Sequence, residues 1–162
     1  MPNFALQAGR TATTVRQDAT LVTSTGIYAS GDVIGAAFQM KMASRFLGGG
    51  GMVRSVFLTD LDDQKSAVDV MLFSGMPTSS DVADNAKYDL ADTDLPLYLG
   101  HISVASSDYA TLSDNAVGIL ACELPYVAAY ESGDIYGLII ARGTPTYTTH
   151  ASLAVGLILQ QD

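Results

Sequence analysis

Ser152-Leu153-Ala154-Val155-Gly156-Leu157-Ile158-Leu159 places Leu153, Val155, Leu157 and Leu159 on one side of an extended chain, and Ser152, Ala154, Gly156 and Ile158 on the other. Successive strand side chains point to opposite faces, so a bulky apolar set at every second position marks a strand with one face in a core. Working back from it, Ser132-Gly133-Asp134 is a turn leading into Ile135-Tyr136-Gly137-Leu138-Ile139-Ile140-Ala141-Arg142, and Gly143-Thr144-Pro145 closes that strand. Ala116–Cys122 and Leu97–Val104 have the same β-branched and aromatic character.

Earlier in the chain, Val68, Val70 and Leu72 share one face of a strand; Ala67, Asp69, Met71 and Phe73 share the other. That second face mixes a charge with an aromatic, which suits packing against a loop or a partner. Met52–Thr59 precedes it, and the polar run Asp60-Leu61-Asp62-Asp63-Gln64-Lys65 between the two reads as a hairpin loop. After the turn Ala29-Ser30-Gly31-Asp32, Ala36, Phe38, Met40 and Met42 alternate with Ala37, Gln39 and Lys41 as a half-buried strand. Residues 1–25, rich in Thr, Ala and Gln, read as an extended N-terminal arm ending in an edge strand and either frayed or tied to a neighbour. In residues 74–94 the β pattern breaks, and Ser79 or Ser80 caps a short expected helix through Asp81–Lys87.

About seven to nine strands result, with at most one or two short helices and turn signals at short intervals. The expected fold is all-β, an antiparallel β-sandwich or jelly-roll-like domain over 26–162, following the arm at 1–25. No regular helical pattern separates the strands, which excludes a doubly wound parallel sheet. Asp far outnumbers Glu, present only as Glu123 and Glu131, and favours turns over helices.

Charged residues are 15% of the chain against a usual ~25%, so little charge covers the surface. Part of that surface is expected to be buried against another chain, the alternative being a coat of Ser, Thr, Asn and Gln. A net charge of −9 with no Lys/Arg cluster argues against direct nucleic-acid binding. No apolar run approaches the ~18 residues of a membrane span. The N-terminus lacks the basic and apolar regions of a signal peptide, so folding in a reducing cytosol is expected.

The residue types that carry chemistry do not form motifs. Gly48-Gly49-Gly50-Gly51 is followed by Met52-Val53-Arg54 and strand-like sequence, without the Lys-Ser/Thr and helix of a phosphate loop. It reads instead as a flexible hairpin tip or a close backbone contact at a subunit boundary. Asp60, Asp62 and Asp63 begin like a calcium loop, but Gln64, Lys65 and Met71 stand where Asp, Gly and Glu are required. A solvated turn is expected there, with an adventitious cation as the alternative. Cys122 lies in an apolar run and reads as a small buried hydrophobe. His101 in a strand and His150 in a Thr-rich loop have no triad pattern around them. We therefore expect no catalytic, cofactor-binding or metal-binding residues and no enzymatic activity. The tyrosines sit mainly at strand ends and turns, where a ring can bury while its hydroxyl reaches a polar group; a sugar- or protein-binding surface is the other use for them.

Several segments resemble small structural proteins of tailed bacteriophages, of the capsid-decoration or cement type. They are Tyr28–Gly35, Gly51–Asp60, Leu72-Phe73 with Pro77-Thr78, and Asp134–Tyr147, and the resemblance covers most of 26–162. It implies a β-sandwich made in the host cytoplasm and carried in the virion. Such a module binds the assembled capsid shell and stabilises contacts between capsomers. Its implied partners are the major capsid protein or other virion subunits and further copies of itself, as a trimer. The alternative is a neck, tail or adsorption-associated binding module. No catalytic residues come with either.

Overall fold

The computed structural model describes residues 12–162. Nine strands form: β1 Thr13–Thr20, β2 Phe38–Met40, β3 Gly50–Asp60, β4 Val68–Phe73, β5 Tyr98–Val104, β6 Tyr109–Thr111, β7 Ala116–Val127, β8 Ile135–Ala141 and β9 Leu153–Gln161. Single 3₁₀ turns at Leu95–Leu97 and Ser106–Asp108 are the only helical pieces among the described residues. One sheet has the order β1-β9-β3-β7-β6 and the other β2-β8-β4-β5. All neighbours are antiparallel. The chain crosses between sheets at every connection except β4–β5 and β6–β7. With β6 set aside, the orders β1-β9-β3-β7 and β2-β8-β4-β5 are those of a jelly roll, so the protein is an antiparallel β-sandwich of that topology.

The period-2 pattern does what it must. Leu153, Val155, Leu157 and Leu159 enter the space between the sheets beside Val56 and Leu58 of β3. Val68, Val70 and Leu72 meet them from β4, and Ile135 and Ile139 from β8. The other face of the four-stranded sheet is covered as well. Phe73, Leu138, Ile140 and Val33 pack there under Val82, Tyr88, Leu90 and Leu97. Asp69 on that face is buried and paired with Arg142 and with the Ser103 hydroxyl, at 2.6 Å for the latter. The mixed character of that β4 face is thus explained by a loop lying over it.

Three local readings are corrected. Residues 60–65 do not close a hairpin, because β3 and β4 lie in different sheets; the segment is a crossover held by Asp60, which accepts from Asp62 N at 3.0 Å and Lys65 N at 2.8 Å. Residues 81–87 form no helix. The backbone N–H groups of Ser79 and Ser80 and the Ser80 hydroxyl all donate to Asp94 Oδ2 at 2.7–2.9 Å, the Ser80 hydroxyl also accepts from Ala91 N at 3.1 Å, and Asn85 sits at φ 60°, outside the helical region. Met42 does not continue the buried face of Phe38 and Met40: it lies beyond β2, with φ 53°, and is 72% exposed.

The edge strand expected at the end of the N-terminal arm is β1, and Leu21 and Thr23 after it are buried. The sheet therefore begins well before residue 26. The rest of that arm, 1–11, lies outside the described residues. The glycine run is a close backbone contact within the chain rather than a hairpin tip. Gly50 and Gly51 open β3 between β7 and β9, and a Cβ on Gly51 would collide with the Gln160 carbonyl and come within 2.7 Å of the Tyr126 hydroxyl.

Candidate interaction face

The two outer faces of the sandwich differ. The four-stranded sheet is roofed by residues 74–97, which carry Asp81, Asp84, Asp89, Asp92 and Asp94 against Lys87 alone. Buried polar bonds fix this roof. Asp84 Oδ1 accepts from the Tyr28 hydroxyl and from Gly35 N, both at 2.6 Å, and Asp94 gathers the serines described above.

The five-stranded sheet has no such cover among the described residues. Its outward positions follow from the register. Arg16, Ile158, Ser55 and Ala121 form one row across β1, β9, β3 and β7. Asp18, Gly156, Phe57 and Ile119 form the next, and Thr20, Ala154, Thr59 and Val117 the one after. A bulge between Val53 and Ser55 sets this phase: it keeps Val53 and Val56 both buried and turns Phe57 outward. Ile119 is 55% exposed, and Val127, further along the same side of β7, 56%.

Charge on this face is sparse and internally cancelled. Arg16 Nε lies 2.9 Å from Asp18 Oδ1, and its guanidinium carbon is 4.8 Å from the Phe57 ring centroid. Arg54, the extra residue of the bulge, lies 2.6 Å from Glu123 and donates to Gln160 Oε1 at 2.7 Å. Two cations and two anions sum to zero here, in a chain of net charge −9. The acid is concentrated elsewhere, much of it on the roof.

A second exposed apolar cluster caps one end of the sandwich. Met42, Phe46 and Leu47 lie on the β2–β3 loop and Tyr130, 83% exposed, on the β7–β8 loop. The loops are locked together. Asp134 Oδ1 accepts from Met42 N at 2.7 Å, the Gln161 amide donates to the Met42 and Ala43 carbonyls, and the Tyr126 hydroxyl donates to Ala43 O at 2.6 Å. Burial alone would raise the Asp134 carboxyl, but the bonds from Met42 N, Ser132 and Gln39, with Lys41 nearby, outweigh it and hold that group below its ordinary range.

The residues that the sequence singles out are dispersed. His101 is exposed on β5, its Nδ1 2.7 Å from the Tyr98 hydroxyl, while His150 Nδ1 lies 2.6 Å from Thr23 O in the loop before β9. Cys122 is half-buried on β7 with Sγ 3.6 Å from Val53 O, and burial pushes its thiol up. Asp62 accepts from Thr148 N and Thr148 Oγ1, both at 2.7 Å, and Asp63 pairs with Lys65 at 3.3 Å. The aspartate cluster thus ties two crossover loops together. Among the described residues no group of three or more His, Cys, Asp and Glu is placed to hold a metal ion. Three of the eight tyrosines are anchors: Tyr28, Tyr109 and Tyr126 bury their rings and spend their hydroxyls on Asp84, Ser66 O and Ala43 O.

No family model and no curated protein matches the chain. Among solved structures it is similar to one of Desmodium yellow mottle tymovirus, at 11% identity and TM-score 0.27 over 94% of this chain and 84% of that one. It is similar to one of sacbrood virus of honeybee, at 9% and 0.30 over 90% and 64%. A family two carbohydrate esterase from Cellvibrio japonicus aligns at 10% and 0.21 over 91% of this chain and 33% of that one. With every TM-score below 0.5, these likenesses assign no role, and the topology rests on the strand order itself.

Proposed function

We propose that this chain is a virion structural protein of the capsid-decoration or cement type, which binds the outside of an assembled shell and stabilises contacts between capsomers. The observation that carries this reading is the polarity of the sandwich. One broad face is open and electrically neutral, with Ile119 and Val127 exposed among small and uncharged residues; the other is roofed and acidic. A module seated on a protein shell needs that division, with desolvation cheap on the inner side and charge on the outer side keeping particles apart in solution. The phage-like segments add support, since Gly51–Asp60 forms β3 at the middle of the open face. The major capsid protein or a neighbouring virion subunit is the partner, and the open face is the contact.

The test is to mix the purified protein with particles of the encoding phage that lack it, pellet the particles and locate bound density by cryo-EM. Saturable binding with the Phe57–Ile119 face against the shell is expected. Failure to sediment with shells, together with absence from native particles, would sink the reading.

A further inference from the structure

We propose that β1 is a self-association edge, and that two copies join β1 to β1, antiparallel, about a two-fold axis through Gln17. The two five-stranded sheets then form one continuous sheet. This differs from the trimer that the phage resemblance implies.

A sandwich has edges, and a soluble one blunts those it does not use, with short strands, bulges, prolines or charges. Three of the four here are treated that way. β2 and β6 have only three residues each. Past β6, β7 carries Pro125 on its open stretch. β5 is interrupted where its register with β4 shifts, and Gly100 there has φ 142°. β1 is the exception in its backbone: eight residues, no proline, no glycine, and unbroken register with β9 from Thr13 to Thr20, its two charges, Arg16 and Asp18, being of opposite sign. Among the described residues β9 is its only strand partner.

The phase of the free edge is fixed. Leu21 N donates to Leu153 O at 3.1 Å in the same register, so odd-numbered residues turn their backbone groups toward β9. Thr14, Arg16, Asp18 and Thr20 therefore present their N–H and C=O groups outward. All four are exposed, and a cleft of about 420 Å³ separates residues 17–22 from 36–41 beside them.

A second copy satisfies this edge in one register. Directly opposed residues must lie on the same face of the joined sheet, so even positions must meet even positions. Centring on Gln17 sets Arg16 against the partner's Asp18 twice, Thr14 against the partner's Thr20 twice, and all of these as hydrogen-bonded pairs. Opposite-charge and Thr–Thr pairs are favourable cross-strand neighbours, and like charges directly opposed are not. Sliding the strands by one step in either direction opposes Arg16 to Arg16 or Asp18 to Asp18. The charge pattern therefore selects the register. It also supplies a neutral contact in a chain whose net −9 repels its copies elsewhere. The pair presents its two open faces side by side on the same side of one sheet.

The experiment compares the full chain with Arg16→Asp, Asp18→Arg and the double exchange by sedimentation equilibrium, with far-UV circular dichroism confirming the fold. The wild type and the double exchange should be dimers, and each single variant should dissociate at least tenfold more readily. Asp18→Pro, which removes an outward N–H and leaves the β9 ladder intact, should also give monomers. A monomeric wild type, whose edge is empty or filled by residues 1–11, would overturn the proposal, as would a trimer. So would a dimer indifferent to the single exchanges, or a double exchange no better than either single one. Shell binding plays no part in the readout, so this test and that of the proposed function fail separately.

Discussion

The hydroxyl of Tyr28 donates to Asp84 Oδ1 at 2.6 Å and accepts from Ser24 N at the same distance, joining the core to the acidic roof through one buried atom. Burial, reinforced by the bond to Asp84, pushes the Tyr28 phenol far above its ordinary range, so it stays a donor at any physiological pH. Tyr28→Phe leaves Asp84 and Ser24 N each short of a partner. A loss of about 1–3 kcal/mol is expected, with the roof opening first; urea titration and hydrogen exchange across residues 80–90 check both parts.

Asp134 and Asp62 give the fold an acid-sensitive limb. Burial works against their charge, but their hydrogen bonds dominate and both folded-state pKa values are depressed. Such a group stabilises the fold above the unfolded value of about 4 and loses that contribution as pH falls through the folded value. Asp60 has the opposite sign: burial raises it, so the unfolded chain ionises first and some stability is lost as pH rises past about 4. Two depressed groups act against one raised group, so the urea midpoint should drop as pH is lowered below about 4. Asp134→Asn should lower the midpoint at pH 7 and flatten that fall; a variant with the wild-type slope would show that Asp134 is not among the groups responsible.

Gly51→Ala should be among the costliest small substitutions in the chain. The added methyl meets the Gln160 carbonyl, held by the sheet, and the Tyr126 hydroxyl, held by Ala43 O, so relief requires backbone movement. Overpacking of this kind costs about 1–3 kcal/mol, readable as a lowered thermal midpoint.

Ile119→Asp separates folding from docking. The side chain is 55% exposed, so stability should change by about 0.5 kcal/mol or less. Shell binding should weaken at least tenfold, because a charge is placed on the open face. Unchanged co-sedimentation with shells would remove that face from the proposal.

Cys122 should react slowly with a maleimide in the native protein at neutral pH. It is half-buried, and burial raises its thiol pKa, so little thiolate is available. Labelling should accelerate sharply in urea, with a midpoint matching unfolding.

The strands were the legible part of this sequence because burial of one face writes itself as alternation, plainest in Leu153 to Leu159. Their partners were harder to read. Nothing local to Asp60–Lys65 distinguishes a hairpin from a crossover: both need a polar turn, and the choice depends on where β9 and β8 arrive from residues far away. Ser79 and Ser80 looked like caps because a capping serine is a local feature, whereas their acceptor, Asp94, is set by the path of the whole roof. The open face was visible only as a shortage of charge. Its membership depends on the bulge at Arg54, for which neither composition nor periodicity gives a sign.

The order β1-β9-β3 has a consequence for how the protein is made. Residues 153–161 sit between two strands that leave the ribosome long before them, so the middle of the sheet is its latest arrival. Until then β1 has no strand of its own chain to pair with, and β3 has β7 on one side only. Closure of that gap joins the beginning of the sandwich to its end, a non-local step of the kind that slows folding and exposes intermediates. Chains cut short before Leu153 should accumulate as insoluble, unfinished sheets.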